Sequence, residues 1–206
     1  MLVHESIYDA VVQQLAETSK KIKLGNPLNP ATGMGPVISE SQMEKILGYI
    51  QSGIEEGARL VCGGKRASGP EVDNGYFIEP TIFADVTNDM KIAREEIFGP
   101  VLAVIKYSTE AEAIEIANDT IYGLSGGVWS RDVNKANEIA TKIKAGTVWI
   151  NDWHVFRNDA PFGGYKQSGI GRELGIQVFN EYTELKNITT SLTAENHQRP
   201  ALGLIF

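Results

Sequence analysis

The run Val101–Tyr107 (VLAVIKY) opens with five apolar residues in succession and no alternation. A strand that is apolar on both faces must be covered on both sides. This excludes a sheet with one wet face and calls for helices above and below. The flanking sequence supplies them. Val3 to Ile22 spaces apolar residues at Val3, Ile7, Val11, Leu15 and Ile22, with Tyr8 and Val12 beside them. That spacing predicts a helix with one buried stripe, stopped by Gly25 and Pro27. Asn26 to Pro36 reads as a loop. Ser39 opens a second helix as its N-cap, and Gln42 completes a capping box. Ile46, Tyr49, Ile50 and Ile54 form its apolar face, and Gly57 ends it. Thr109 and Glu112 open another capped helix, with Ala113, Ile114, Ala117 and Ile121 turned inward, and Asp132 to Ile143 is also a helix.

Between the helices lie short extended segments. These are Arg59 to Cys62 before a Gly63-Gly64 turn, Tyr76–Val86 interrupted at Pro80, Gly127–Ser130 and Thr147–Asn151. A glycine-rich loop, Pro161 to Gly171, leads into a helix to about Asn180, and Thr183–Leu192 suits an edge strand. Helices alternating with apolar strands predict an α/β fold, a three-layer open, mostly parallel sheet flanked by helices. In such sheets ligands bind beyond the carboxyl ends of the strands, which directs attention to the loops Arg94–Pro100 and Asn151–Gly171.

Composition narrows the function classes. Of 206 residues, 42% are hydrophobic and 22% charged, which supports a packed core rather than disorder. The net charge of −7, with no basic run of five, argues against a nucleic-acid or anionic-membrane partner. No apolar run reaches transmembrane length, and MLVHESIYDA lacks the charged start and apolar core of a signal peptide. A cytoplasmic location is the expectation. One cysteine and three scattered histidines suggest neither a disulfide framework nor a metal cluster.

Several motifs compete for attention. Gly123-Leu124-Ser125-Gly126-Gly127 fits GxSxG, but a nucleophile elbow needs a strand before the serine and a helix after it. Here the order is reversed, so a glycine-rich turn is the better reading. Gly169, Gly171 and Gly175 miss the dinucleotide spacing by one position and follow no strand. Cys62 ends an apolar strand and reads as a packed thiol, with Lys65 and Arg66 as the only nearby residues able to activate it. Glu95-Glu96-Ile97-Phe98-Gly99-Pro100 reads first as a solvated acidic loop, though a carboxylate there can also accept the vicinal hydroxyls of a ribose. Pro161–Glu173 has a rigid, irregular backbone. Trp153, His154 and Phe156 follow a strand's carboxyl end, which suits the wall of an apolar pocket or, for Trp153 and Phe156, plain core packing; His154 alone reads as a hydrogen-bonded neutral side chain rather than a catalyst.

At these residues the sequence resembles the aldehyde dehydrogenase superfamily. The matches are Glu95–Val101 (EEIFGPV), Gly146–Asn151 (GTVWIN), Pro161–Glu173 (PFGGYKQSGIGRE) and Tyr182–Lys186 (YTELK), supported by Val3–Tyr8, Gly25–Pro27, Met34–Pro36 and Gly75–Pro80. The resemblance implies NAD(P)-dependent oxidation of an aldehyde to an acid through a cysteine nucleophile. It implies that Glu96 holds the nicotinamide ribose and that Phe98 lies against the nicotinamide side. Trp153, His154, Phe156 and Phe162 would line the aldehyde pocket, with Asn151 and Pro161–Gly171 framing it. Trp153 can face a cationic substrate or pack an aliphatic or aromatic one. Residues 1–181 would form a truncated catalytic domain, and residues 182–206 an oligomerisation strand and tail. Thr183–Leu192 would join copies of the chain into a homo-oligomer. In this family the nucleophile lies before the segment resembling Val3–Tyr8. The resemblance therefore implies a C-terminal portion without nucleophile, general base or most of the cofactor domain, and so without turnover of its own.

Overall fold

The computed structural model describes residues 1–190 and 192. The run 101–107 lies between two neighbours rather than in one uniform ladder. Strand β1 (Leu2–His4) leads through a 3₁₀ turn (Glu5–Ile7) into helix α1 (Tyr8–Ser19). Helix α2 (Glu40–Glu55) and strand β2 (Arg59–Cys62) follow, then β3 (Thr81–Ala84) and the short helix α3 (Lys91–Arg94). The apolar run itself divides into β4 (Val101–Ala103) and β5 (Ile105–Tyr107). β4 pairs parallel with β3, and β5 pairs parallel with β1. Val104 is the change-over point: its N–H donates to Phe83 O at 2.9 Å and its carbonyl accepts Val86 N–H at 3.3 Å. Its side chain has no solvent exposure, as expected of a strand covered on both faces.

The second half of the chain builds helix α4 (Glu110–Asn118), strands β6 (Tyr122–Gly123) and β7 (Ser125–Val128), helix α5 (Val133–Lys142) and strand β8 (Thr147–Ile150). Strand β9 (Tyr165–Lys166), a second 3₁₀ turn (Ile176–Val178) and helix α6 (Phe179–Tyr182) complete it. β7 and β8 run parallel, whereas β2–β3 and β6–β9 are antiparallel. The fold is α/β with mixed pairing. Among the described residues the single open sheet expected from sequence is divided into separate ladders of two, three, two and two strands. No helix among these residues is long and apolar enough to cross a membrane.

The core sits where α2 packs on β3. Phe83, Ile46, Ile50 and Ile78 are buried there with Met43 and Tyr49, each large apolar side chain contributing about 1.5–3 kcal/mol. Gly53, also buried, permits this packing, because a Cβ there would lie 2.9 Å from Ile92 Cδ1. Ile54, expected on this face, is instead exposed, since the buried row runs through Met43, Ile46, Ile50 and Gly53. A second cluster joins Val3, Tyr8 and Val12 to Ile82, Ala84 and Val104.

Other expectations need correction. The helix predicted from Val3 begins at Tyr8, because the residues before it pair with β5. Its buried row is Tyr8, Val12 and Ala16, and Ile7 and Ile22 are exposed. Ser39 does cap α2 by accepting Gln42 N–H, but no capping box forms there, because the Gln42 side chain turns to Ile97 and Phe98. The box at Thr109 and Glu112 is complete. Ala113, Ile114 and Ala117 are half-buried and Ile121 is exposed. Of Tyr76–Val86 only β3 is a strand, ended by Asp85 at φ 56°. The helix to Asn180 starts late, after Leu174 and Gly175, both at φ 60°. Of Thr183–Leu192, expected as an edge strand, the described residues 183–190 and 192 form no strand in the single chain. The remainder of the tail, 191 and 193–206, lies outside the described residues.

Candidate active site

The aromatic side chains after β8 come together. Asn151 ends this strand at φ 55°, and its side chain accepts Ser130 N–H and donates to Ser130 O, both at 2.8 Å. These bonds tie the end of β8 to the end of β7, fixing where the following loop departs. Phe156 meets Phe162 edge-on at 4.9 Å between centroids and Trp149 edge-on at 5.8 Å. Trp149 also meets Trp153 at 5.1 Å, and His154 stacks on Trp153. Thus Trp153, His154, Phe156 and Phe162, scattered over ten positions of sequence, form one continuous aromatic surface.

Trp149 is the hub of this surface, and sequence reading missed it. Its indole N–H donates to Val155 O at 2.9 Å, which folds the loop back over the strand. Trp129 joins at the other end, 6.3 Å from Trp153. The signal was available: period-two alternation along Thr147–Asn151 puts Trp149 on the same face as Asn151. Gly127 stands opposite Trp149 in the β7–β8 register, and a Cβ there would lie 2.7 Å from Trp129 and 3.0 Å from Trp153. The last glycine of the GxSxG string therefore makes room for indoles, and Ser125 is an ordinary β7 residue.

The glycine-rich stretch is rigid. Phe162 and Glu173 exchange two backbone hydrogen bonds of 2.7 Å, closing it into a loop. Within it Arg172 donates to Gly164 O and Gly171 O and lies over the Tyr165 ring. Ser168 Oγ accepts Gly123 N–H at 3.0 Å, and Gln167 N–H donates to Ile121 O at 2.9 Å. The loop presents Phe162 from a fixed frame. A cleft of about 460 Å³ runs along Trp149, Phe156, Phe162 and Leu174, and Asp152 and Arg157 are its charged lining residues. Arg157 is paired to Asp159 at 2.7 Å.

Glu96 and Phe98 occupy a second locus, ahead of β4. Phe98 is 73% exposed, at φ 55°, while Ile97 beside it is buried. The Gln42 amide holds this turn by donating to Ile97 O and Phe98 O at 3.2 and 3.1 Å. Gly99 is required beneath it, since a Cβ would sit 2.5 Å from Ile46 Cδ1. The two neighbouring carboxylates differ. Glu95 accepts the Tyr49 hydroxyl at 2.8 Å, a bond that also raises the Tyr49 pKa above its ordinary value. Glu96 is exposed and, among the described residues, has no hydrogen-bond or ion-pair partner, so its oxygens are open to a diol. No hydrogen bond, ion pair or ring contact among the described residues joins this turn to the aromatic cleft.

Cys62 belongs to neither locus. Its sulfur is half-buried, 3.2 Å from Ser19 Oγ, and packs against the Tyr8–Val12 cluster. Lys65 faces Glu79, and the Arg66 guanidinium donates to Asp73 O and Gly75 O. Among the described residues no group of three metal-ligating side chains converges.

The aldehyde dehydrogenase family model matches residues 1–188. Betaine aldehyde dehydrogenase of Bacillus subtilis is 52% identical over 188 residues, 91% of this chain and 38% of the relative. Aldehyde dehydrogenase 1A1 of Bos taurus is 49% identical over 196 residues, 95% of this chain and 38% of the relative. The crystal structure of Mycobacterium tuberculosis aldehyde dehydrogenase complexed with NAD+ superposes with a TM-score of 0.85 at 53% identity, covering 89% of this chain and 37% of that one. The chain thus spans under two fifths of the length of these relatives. On a family match that runs through both the exposed turn and the aromatic cleft, the chain belongs to the aldehyde dehydrogenase family.

Proposed function

We propose that the chain is the C-terminal catalytic-domain portion of an NAD(P)-dependent aldehyde dehydrogenase and supplies the wall against which the aldehyde packs. The observation that carries this reading is the contact of Trp153, His154, Phe156 and Phe162 in one ring cluster beyond the end of β8, whose Phe156 and Phe162 line the cleft while Trp153 and His154 lie beside it. An apolar cleft at that end of a parallel pair suits the tail of a small organic substrate.

Glu96 and Phe98 fit one part of the cofactor. An unpartnered, exposed carboxylate can accept both hydroxyls of a ribose, and the outward Phe98 ring can lie against the nicotinamide side. NAD(P), when bound, accepts the hydride that leaves the substrate carbon. The residues of this chain hold the ribose, pack the aldehyde tail and exclude water from it. The thiolate that attacks the carbonyl and the carboxylate that activates water come, in this reading, from polypeptide outside these residues. Cys62 does not replace that thiolate, because it sits with Ser19 in another cluster.

The test is an assay of the purified chain with NAD and several aldehydes, in which no turnover is expected. Turnover that Cys62→Ser abolishes would overturn the reading. The exposed residues Leu185, Ile188 and Leu192 favour a second reading, an oligomerising module or one half of a split enzyme. Light scattering with and without deletion of Thr183–Leu192 tests this, and a strictly monomeric intact chain would count against it.

A further inference from the structure

We propose that Asp119 is a positioning residue, which holds the Glu96–Phe98 turn and the loop of Phe162 at a fixed separation. This role rests on the reading of those two loci as cofactor and aldehyde contacts, and adds what sets their relative place. Among the described residues, every hydrogen bond between residues 1–107 and residues 109–190 ends on Asp119. Asn88 Nδ2 donates to its carboxylate at 2.7 Å and to its carbonyl at 3.3 Å. The Arg94 guanidinium donates to the two carboxylate oxygens at 2.9 and 3.3 Å and to the same carbonyl at 3.2 Å. Arg94 is the last residue of α3 and stands two positions before Glu96.

The glycine-rich loop is fastened to the same stretch of chain. Lys166 takes the carbonyls of Asn118 and Thr120, Gln167 N–H takes that of Ile121, and Ser168 Oγ accepts Gly123 N–H. Three successive carbonyls at the end of α4 thus accept side chains from two segments far apart in sequence. Asp119 is the C-cap of α4. An acidic residue there adds negative charge to the negative end of a helix, which is unfavourable by itself. Paired donation from Arg94 offsets that cost and fixes direction as well as distance. One turn back, Ile116 packs on the α2–β3 core. Apolar contact is non-directional, so the bonds at Asp119 are what orient this helix end and the loop that rides on it.

The experiment uses the full chain with Cys62→Ser and spin labels at Glu96→Cys and Ile170→Cys, the second at a fully exposed position of the loop. Double electron–electron resonance reads the distribution of distances between them. A control pair joins Glu96→Cys to Gln14→Cys, an exposed position on α1. Helix α1 packs on Ile82 and Ala84 and α2 on Phe83, so the control spans the two faces of β3 and lies wholly within residues 1–107. Asp119→Ala is expected to broaden the 96–170 distribution and to leave the 14–96 distribution as it was. Arg94→Met should broaden the first distribution in the same way, and adding it to Asp119→Ala should change nothing further, as two halves of one interaction require. A 96–170 distribution indifferent to Asp119→Ala would overturn the proposal. Equal broadening of both pairs would overturn it too, because Asp119 would then stabilise the chain in general rather than place one locus against the other. Both distances are read without ligand, so turnover in the assay above, which would overturn the site reading, is a separate outcome.

Discussion

The Lys166 ammonium donates to the carbonyl oxygens of Asn118 and Thr120, at 2.8 and 3.0 Å. It thereby neutralises the carboxyl end of α4 with a charge from the glycine-rich loop. Asn118 extends the tie: its side chain donates to Lys142 O and accepts Lys144 N–H, at 2.9 and 2.7 Å. The ends of α4 and α5, both carrying partial negative charge, thus meet at Asn118, and Lys166 caps the first of them.

Lys166→Met keeps the length of the stem and removes the charge. The expected cost is about 1.5 kcal/mol, the lower range for hydrogen bonds to a charged group, because the site is exposed. Urea denaturation monitored by tryptophan fluorescence measures it. A midpoint equal to that of the unchanged chain would show that the tie contributes nothing.

Gly146 begins the turn into β8 at a point where an added Cβ would fall on the Gly163 carbonyl oxygen. Backbone cannot yield as a flexible side chain can. Gly146→Ala is therefore expected to cost about 1–3 kcal/mol and to displace the loop carrying Phe162. Near-ultraviolet circular dichroism should lose intensity from the aromatic cluster. Unaltered spectra would mean the loop has another position open to it.

Tyr8 is buried, donates to Val104 O at 3.3 Å and accepts Asp85 N–H at 2.6 Å. Burial is the main reason its pKa is raised above the ordinary 10.0. A raised folded-state pKa means stability that is complete below the unfolded value and lost as pH rises through the folded one. The chain should weaken above pH 10.0, and Tyr8→Phe should flatten that alkaline limb, leaving the share due to Tyr49. Asp85 acts at the other end. Hydrogen bonding to Arg59 holds its carboxyl below the ordinary 3.8, so its contribution is present above that value and fades as pH falls. Stability curves over both ranges check the two signs.

Gln42→Ala should release the turn that projects Phe98. Two hydrogen bonds are lost, each worth about 0.5–1.5 kcal/mol. The Ser39 cap does not depend on that side chain and stays in place. Hydrogen exchange should quicken at residues 96–100 and remain slow in α2. Equal acceleration in both would mean the helix, rather than the turn, depends on the amide.

Much of the architecture was legible before any coordinates. The caps at Ser39 and Thr109 act as their side-chain chemistry requires, since an N-cap needs only a short-range bond. The strands at Arg59 and Thr147 begin where β-rich runs follow turn residues. What escaped depends on partners distant in sequence. Gln42 satisfies the pattern of a capping box, yet it bonds residues 55 and 56 positions away, which no local rule registers. Ile54 satisfies the helical spacing, yet β3 and α3 fill the other side of the row.

By itself the sequence determined the α/β class, the positions of the aromatic and acidic residues that mark the site, and the motifs that place the chain in its family. Those follow from side-chain chemistry and from periods of two and 3.6 residues, which are properties of neighbouring positions. Only the tertiary structure decided that the apolar run changes partners at Val104, that Trp149 is the hub of the aromatic cluster, and that His154 lies flat on Trp153. Each of these is set by strand register and by the few left-handed backbone turns that redirect a side chain. Such features arise when distant segments pack, and adjacent residues do not encode them.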